Sequence, residues 1–234
     1  MQFRFSCLFF FIPVFLLISC RSADGPIKAR GPIVEKTFEF GKDFDRIEVK
    51  HGWKVRLIHS PRLRAVARTQ KSIVDYVYPR VINGRLIIDF SQGADIVNIT
   101  TQEIDVYYKN LNEINVNTDA VLISDMHMEQ PRLDLIASKR GSIALNHLKV
   151  GDLHVNASDK ATVELTGTSV DFTGVLSKRA ELDAENLTVI KADLEASSGA
   201  QVFIDVIEKI TADSQSGALI QYSGNPQYID GRKK

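Results

Sequence analysis

The amino-acid sequence predicts an all-β chain whose C-terminal half winds as a β-solenoid of about six coils of about 20 residues, capped by N-terminal strands and hairpins. Three observations predict it. Apolar and polar residues alternate from Val34 onward with a period of two rather than 3.6. A small residue after a polar turn recurs at Ala120, Gly141, Ala161, Ala180, Ala200 and Ala218, at intervals of 21, 20, 19, 20 and 18 residues. Apolar side chains keep fixed offsets from that residue, before it as in Leu133/Leu135/Ala137 and Leu153/Val155/Ala157, and after it as in Ile143/Leu145 and Val163/Leu165.

The first element is a leader. Residues 1 to 19 carry one cation, Arg4, then run apolar from Cys7 to Ile18 with one interruption at Pro13, and end in Ser19. Such a run is short of the roughly 20 residues that a spanning helix needs, and it fits the apolar region of a secretory signal peptide. Leu17-Ile18-Ser19-Cys20 resembles the bacterial lipobox, in which the leader is cleaved before a cysteine that takes diacylglycerol. Several acyl chains hold a protein on a membrane where one chain is marginal. An ordinary signal peptide with an incidental cysteine is the other reading. With the leader gone, 28 Lys and Arg face 29 Asp and Glu. Residues 20 to 32 hold two Gly-Pro pairs and no apolar period, and read as a lipidated tether.

Composition removes several functions. The 234-residue chain has no net charge, which gives no support to nucleic-acid binding. Both cysteines, Cys7 and Cys20, lie in the first twenty residues, so the remainder holds no internal disulfide, no thiolate nucleophile and no Cys-ligated metal.

The entry region spans 33 to 112. Phe38 and Phe40, Ile47 and Val49, then Trp53, Val55 and Leu57 alternate with polar neighbours and read as strands. Val81-Ile82-Asn83-Gly84-Arg85-Leu86-Ile87-Ile88 reads as a hairpin, because Asn-Gly supplies two positive-φ residues between alternating runs. Ile73 to Tyr78 allows a short helical turn that Pro79 stops. Residues 91 to 102 read as a polar loop, and Ile104, Val106 and Tyr108 as a strand.

The repeat region spans 113 to 230, with 231 to 234 as a tail. Four successive repeats place a serine three positions before the small residue: Ser138, Ser158, Ser177 and Ser197. One coil cannot enclose a core, but stacked coils at about 4.8 Å can. Pro226 after the last coil would discourage further strand recruitment at that end.

Taken together, Phe44-Asp45-Arg46-Ile47-Glu48-Val49, the Asn-Gly hairpin, Ala196-Ser197-Ser198-Gly199-Ala200, Ser214-Gln215-Ser216-Gly217-Ala218 and the closing Tyr222-Ser223-Gly224-Asn225-Pro226 resemble the bacterial "head GIN domain" family, over roughly residues 33 to 230. The resemblance implies a right-handed parallel β-helix with N-terminal cap strands, on exported lipoproteins of the Gram-negative envelope. The family's adhesin label is itself an inference. The chain departs from the usual Ser and Gly turns at Ser138-Lys139-Arg140-Gly141, Ser158-Asp159-Lys160-Ala161 and Ser177-Lys178-Arg179-Ala180, and lacks the usual Pro at Lys109-Asn110-Leu111.

Those departures are the most distinctive surface feature. Lys139, Arg140, Lys160, Lys178 and Arg179, with Asp159 among them, would line one edge of the stack and form a candidate anion-binding ridge. Like charges one layer apart repel by about 0.8 kcal/mol in water. An anionic glycan or lipid headgroup would relieve that, and so would Glu164, Glu181 and Asp183 nearby, which makes the edge a balanced, solvated face.

His127 and His147 occupy nearly equivalent positions with Asp125 close, but no recognised ligand spacing supports a metal site, and loop histidines are the plainer reading. No acidic pair singles out a cleft, no Gly-x-Ser-x-Gly elbow occurs, and Phe172 and Phe203 are the only aromatics between Ala120 and Ile220. The sequence thus predicts no catalytic residues and no cofactor.

The expected function is a non-catalytic, adhesion-like binding module. It is anchored through acylated Cys20 in membrane lipid and faces the periplasm or the surface, with an envelope protein or glycan as partner. Arg21 after Cys20, in place of Asp, favours the outer membrane. The competing readings are a glycan-processing enzyme or accessory protein on the same scaffold, and a structural protein that forms homo-oligomers.

Overall fold

In-register parallel pairing of successive coils builds most of the molecule. The computed structural model describes residues 25–91 and 94–230. Ser142–Ala157 runs alongside Thr162–Leu176, which pairs with Glu181–Ala196, which pairs with Gln201–Ser214, every pairing parallel. Below them lie Glu113–Asn117, Val121–Ser124 and Met128–Ser138, and above them Leu219–Ser223 and Gln227–Asp230, again parallel. The ladders break register between Leu145 and Leu148, Glu164 and Thr166, and Ala184 and Thr188. At these breaks the chain turns a corner. His147 (φ 60°) and Gly167 (φ 123°) sit there, and a Cβ on Gly167 would lie 2.1 Å from the Leu148 carbonyl oxygen, so only glycine fits.

Alternation sends one set of side chains into a continuous lumen. Register partners stack like on like, as in Leu122, Ile143, Val163, Leu182 and Val202, all buried. Each such side chain removed from water contributes about 1.5–3 kcal/mol before the cost of ordering the chain. Phe172 points inward, as its register predicts, and stacks between Leu153 and Ala192. Room for the ring comes from Gly174, where a Cβ would meet Leu194 Cδ2 at 2.8 Å and Phe172 Cε1 at 3.0 Å.

The stack begins before the repeat is visible in the sequence. Arg46–Val49 pairs parallel with Glu113–Asn117, and Lys54–His59 pairs parallel with Val121–Ser124. Between them, His51 and Gly52 both take positive φ. Residues 46 to 59 therefore form a further layer beneath the first repeat. In this layer Trp53 occupies the position that Ala120 holds one coil above. It is fully buried, with its ring centroid 5.1 Å from that of Phe90. The bulky ring fills a small-residue position in this layer and packs on Phe90.

Beyond this layer the cap is a mixture of pairings. Gln102–Tyr108 lies parallel to Lys54–His59 and antiparallel to Arg64–Gln70, which pairs antiparallel with Ile33–Glu39. On the other flank, Arg85–Ile88 lies parallel to Arg46–Val49 and forms the predicted hairpin with Arg80–Ile82, with Asn83 at φ 50° and Gly84 at φ 75°. The helical turn allowed before Pro79 is a 3₁₀ turn at Val74–Tyr76. Two short elements differ from the sequence reading. Ile27–Lys28, in the stretch read as a tether, pairs with Ile96–Val97, in the stretch read as a polar loop. Ala29 beside it is buried, and the Arg30 amide donates to Ser72 Oγ at 2.7 Å. Two-residue strands carry no periodicity, so nothing in the sequence announces them.

The cap is cross-braced at Asp105. Arg56 donates to both carboxylate oxygens at 2.9 Å, and Arg68 donates to Asp105 at 2.8 Å and to Glu35 at 2.8 Å, which ties four cap segments together. Burial alone would raise the Asp105 carboxyl, but the hydrogen bonds from Arg56 and Arg68 outweigh it and hold the group below the usual carboxylate range.

Two measurements check this architecture. Phe172→Ala lowers unfolding stability by about 3–5 kcal/mol through the cavity it leaves, and Gly174→Ala by about 1–3 kcal/mol through overpacking, both read from denaturant midpoints. Because the folded-state pKa of Asp105 is lowered, its contribution is present at neutral pH and is lost as pH falls below about 4. The stability gap between wild type and Asp105→Asn is therefore widest near pH 7 and narrows in acid.

Candidate functional site

Each coil turns through a pair of residues with positive φ: Thr118 and Asp119, Lys139 and Arg140, Asp159 and Lys160, Lys178 and Arg179, Ser198 and Gly199, Ser216 and Gly217. The residue before each pair accepts a hydrogen bond from the small residue after it, as in Gly141 N–H to Ser138 O at 2.9 Å and Ala180 N–H to Ser177 O at 3.1 Å. These are type I′ turns. Two carbonyl-amide contacts explain why the chain adopts them. The peptide that links Lys139 to Arg140 accepts from the Asp119 N–H at 3.1 Å and donates to the Asp159 carbonyl at 3.0 Å. The next peptides repeat the pattern, from Lys160 N–H to Lys178 O at 3.0 Å and from Arg179 N–H to Ser198 O at 3.1 Å. The turn peptide stands along the solenoid axis, and that orientation requires positive φ on both sides of it.

Glycine accepts this conformation freely, whereas other residues are strained by about 1–2 kcal/mol each. Five of the strained positions hold the cations singled out in the sequence, Lys139, Arg140, Lys160, Lys178 and Arg179. The structure brings all five together with Asp159 along one edge, where they and Ser198 line an open groove of about 520 Å³.

The charge balance differs from the expectation. Among the described residues, no ion pair joins the edge to Glu164, Glu181 or Asp183. Arg140 instead forms a two-pronged bond to Asp119 of the preceding turn, 2.5 Å to Oδ1 and 2.7 Å to Oδ2, and Lys178 Nζ lies 3.3 Å from Asp159 Oδ1. Glu164 and Glu181 are exposed on the strands that follow the turns, and Asp183 accepts from the Glu185 amide at 3.3 Å. The hydrogen bond from Arg140 holds the Asp119 carboxyl below its usual range. Lys139, Lys160 and Arg179 have no ion pair among the described residues. Asp119 is the residue that the sequence reading passed over. Its offset, one position before Ala120, is the same as that of Arg140 before Gly141, and that was the available signal.

The other candidates form no metal-binding cluster among the described residues. His127 Nε2 lies 3.7 Å from Glu129, the His147 amide donates to Thr166 Oγ1 at 3.1 Å, and Asp125 accepts from Asn146 at 2.8 Å. No group of three or more potential metal ligands exists among the described residues. Carboxylates do stack in register, Glu164 on Asp183 and Glu195 on Asp213, but on outward faces. A smaller groove of about 350 Å³ beside the cap is lined by Lys54, Arg56, Arg68, Glu103 and Asp105, with Ile123. Its arginines are committed to Asp105. Cys20 lies outside the described residues, and no helix among them is long and apolar enough to cross a membrane.

Strain at the edge gives a prediction of unusual sign. Arg179→Gly, which installs the residue found one coil further on, raises stability by roughly 0.5–1 kcal/mol once the greater freedom of the unfolded chain is offset, and thermal unfolding reads the gain.

Comparison with known proteins agrees with this architecture. Among curated proteins none matches the chain. Among solved structures, a "putative adhesin" from Bacteroides fragilis NCTC 9343 is similar at a TM-score of 0.81 and 16% identity, covering 88% of this chain and 94% of that one. A "putative lipid binding protein" from Parabacteroides distasonis ATCC 8503 is similar at 0.70 and 16%, covering 88% and 96%. A "putative adhesin" from Parabacteroides merdae ATCC 43184 is similar at 0.68 and 15%, covering 89% and 99%. At such identities the likeness concerns the fold alone. The family model described as "Putative auto-transporter adhesin, head GIN domain" matches residues 43–226, and the chain belongs to that family.

Proposed function

We propose that this chain is an exported, lipid-anchored protein of the bacterial cell envelope whose solenoid is a non-catalytic, adhesion-like binding module. The observation that carries the binding reading is the edge itself. Three cations without ion pairs are held in strained turns on a rigid, laterally bonded row, next to turns of the same geometry that use Ser and Gly. A folding requirement alone would favour glycine there. Anchoring is supported by Cys20 directly after an apolar leader, and the outer membrane by Arg21 in place of an acidic residue. The family's description as adhesins supports presentation outside the cytoplasm.

A second reading, homo-oligomerisation, is favoured by the far end of the stack. Leu219–Ser223 pairs on one side only among the described residues, and Leu219 is 48% exposed on it. An open edge with apolar side chains is a template for another strand.

Metabolic labelling with palmitate in a Gram-negative host tests the anchor. The wild-type chain takes the label and sediments with membranes, and Cys20→Ser abolishes both. A Cys20→Ser protein that keeps label and membrane association overturns the anchor. Protease shaving of intact cells then reports the facing: a domain degraded only after lysis is periplasmic, and one degraded on intact cells is displayed outside.

A further inference from the structure

We propose that the edge formed by Lys139, Lys160 and Arg179 binds a linear anionic polysaccharide laid along the solenoid axis, with its carboxylate or sulfate groups meeting cations on successive coils. The inference rests on the reading of the domain as a binding module and names the ligand class of that module. Four observations carry it.

First, the row is built and rigid. The turn peptides of coils bearing Arg140, Lys160 and Arg179 are hydrogen-bonded to the next coil at 3.0, 3.0 and 3.1 Å, so the Cα atoms of these three form a column spaced by the layer repeat of about 4.8 Å, with Lys139 one residue before Arg140 in its turn. Second, the row is electropositive in a chain whose net charge is zero. Of its five cations, Arg140 and Lys178 are neutralised by Asp119 and Asp159, and three charges are left over. Third, the cations line one continuous surface, a shallow and open groove of about 520 Å³ bounded by Lys139, Arg140, Asp159, Lys160, Lys178 and Arg179, with Ser198 also lining it. Fourth, these residues are costly where they stand. Ser198-Gly199 and Ser216-Gly217 fill the same turns without strain at the second position and without like-charge repulsion.

The geometry favours a strand of sugars over other anions. A linear polyanion laid along the axis meets cations on several layers at once, whereas a small anion meets one or two of them. A single-stranded nucleic acid needs aromatic platforms for its bases, and none lines the groove. An anionic membrane is flat and is engaged by basic residues interleaved with exposed apolar ones. No exposed large apolar residue lines the groove.

The test uses the full chain and polygalacturonate, a linear polyuronate, with titration calorimetry at about 50 mM salt, where exposed charges are least screened. The edge variant is Lys139→Ser with Lys160→Gly and Arg179→Gly. It copies the neighbouring turns and relieves strain, so its thermal midpoint is not lowered and loss of binding is not loss of folding. The control variant, Lys42→Ser with Lys191→Ser and Lys209→Ser, removes the same charge from exposed positions elsewhere. The expected result is wild-type binding that weakens at 200 mM salt, an affinity loss of about tenfold or more in the edge variant, and a control within about twofold of wild type.

Equal loss in the control reduces the effect to net charge and overturns the proposal, as does undiminished binding by the edge variant or no binding by the wild type. Edge-dependent binding to phosphatidylglycerol vesicles without binding to polygalacturonate overturns the polysaccharide assignment in favour of a lipid surface. Any of these failures removes the ligand class only, because the anchored binding module is judged separately by palmitate labelling and shaving.

Discussion

The orientation of one peptide in each coil governs the rest of this structure. For parallel coils to bond along their whole length, the peptide at the turn must lie along the axis like those of the strands. The bonds from Asp119 to Lys139, Arg140 to Asp159 and Arg179 to Ser198 show that it does. The consequence is a pair of positive-φ residues in every layer, including the His51 and Gly52 layer that precedes the repeats. It also sets the direction of the strands on either side, and thereby which side chains enter the lumen. Leu135 stacks on Ile114 and Val155 because the turn above each begins at the same offset.

Against that constraint, the choice of residue at the turns separates folding from function. Where Ser-Gly occupies the pair, folding is sufficient explanation. Where Lys-Arg occupies it, backbone strain and charge repulsion both oppose the choice, and exposed pairs such as Lys178 with Asp159 return little. The edge is therefore the part of the surface that stability least explains. The Asp105 network is the contrary case: its three charged partners are mutually satisfied, and bracing the cap accounts for all of them.

The two ends of the stack are managed differently. At the N-terminal end, Arg85–Ile88 and Gln102–Tyr108 add one more parallel layer beyond Trp53, and antiparallel strands pair with each of them. At the other end, Leu219–Ser223 and Gln227–Asp230 finish the ladder on one side, and Ile220 there is only half-buried. A solenoid bonded layer by layer always leaves such an edge, because each coil satisfies only the one before it.

By itself, the sequence determined the solenoid, its coil length, the inward columns and the five cations on one edge, because a 20-residue repeat records each layer's alternation six times over. The inward position of Phe172 and the hairpin at Asn83-Gly84 were legible for the same local reason, a period of two and a turn with its own signature. Tertiary structure alone decided the layer at residues 46 to 59, the docking of Ile27–Lys28 on Ile96–Val97, and the partners of the cations. Those depend on which residues lie one layer apart across a turn. Arg140 finds Asp119, and Glu164 has Asp183 as its register partner, because the ladder decides which residues lie one layer apart whatever their charge. Charge is written along the chain, but pairing is settled between layers.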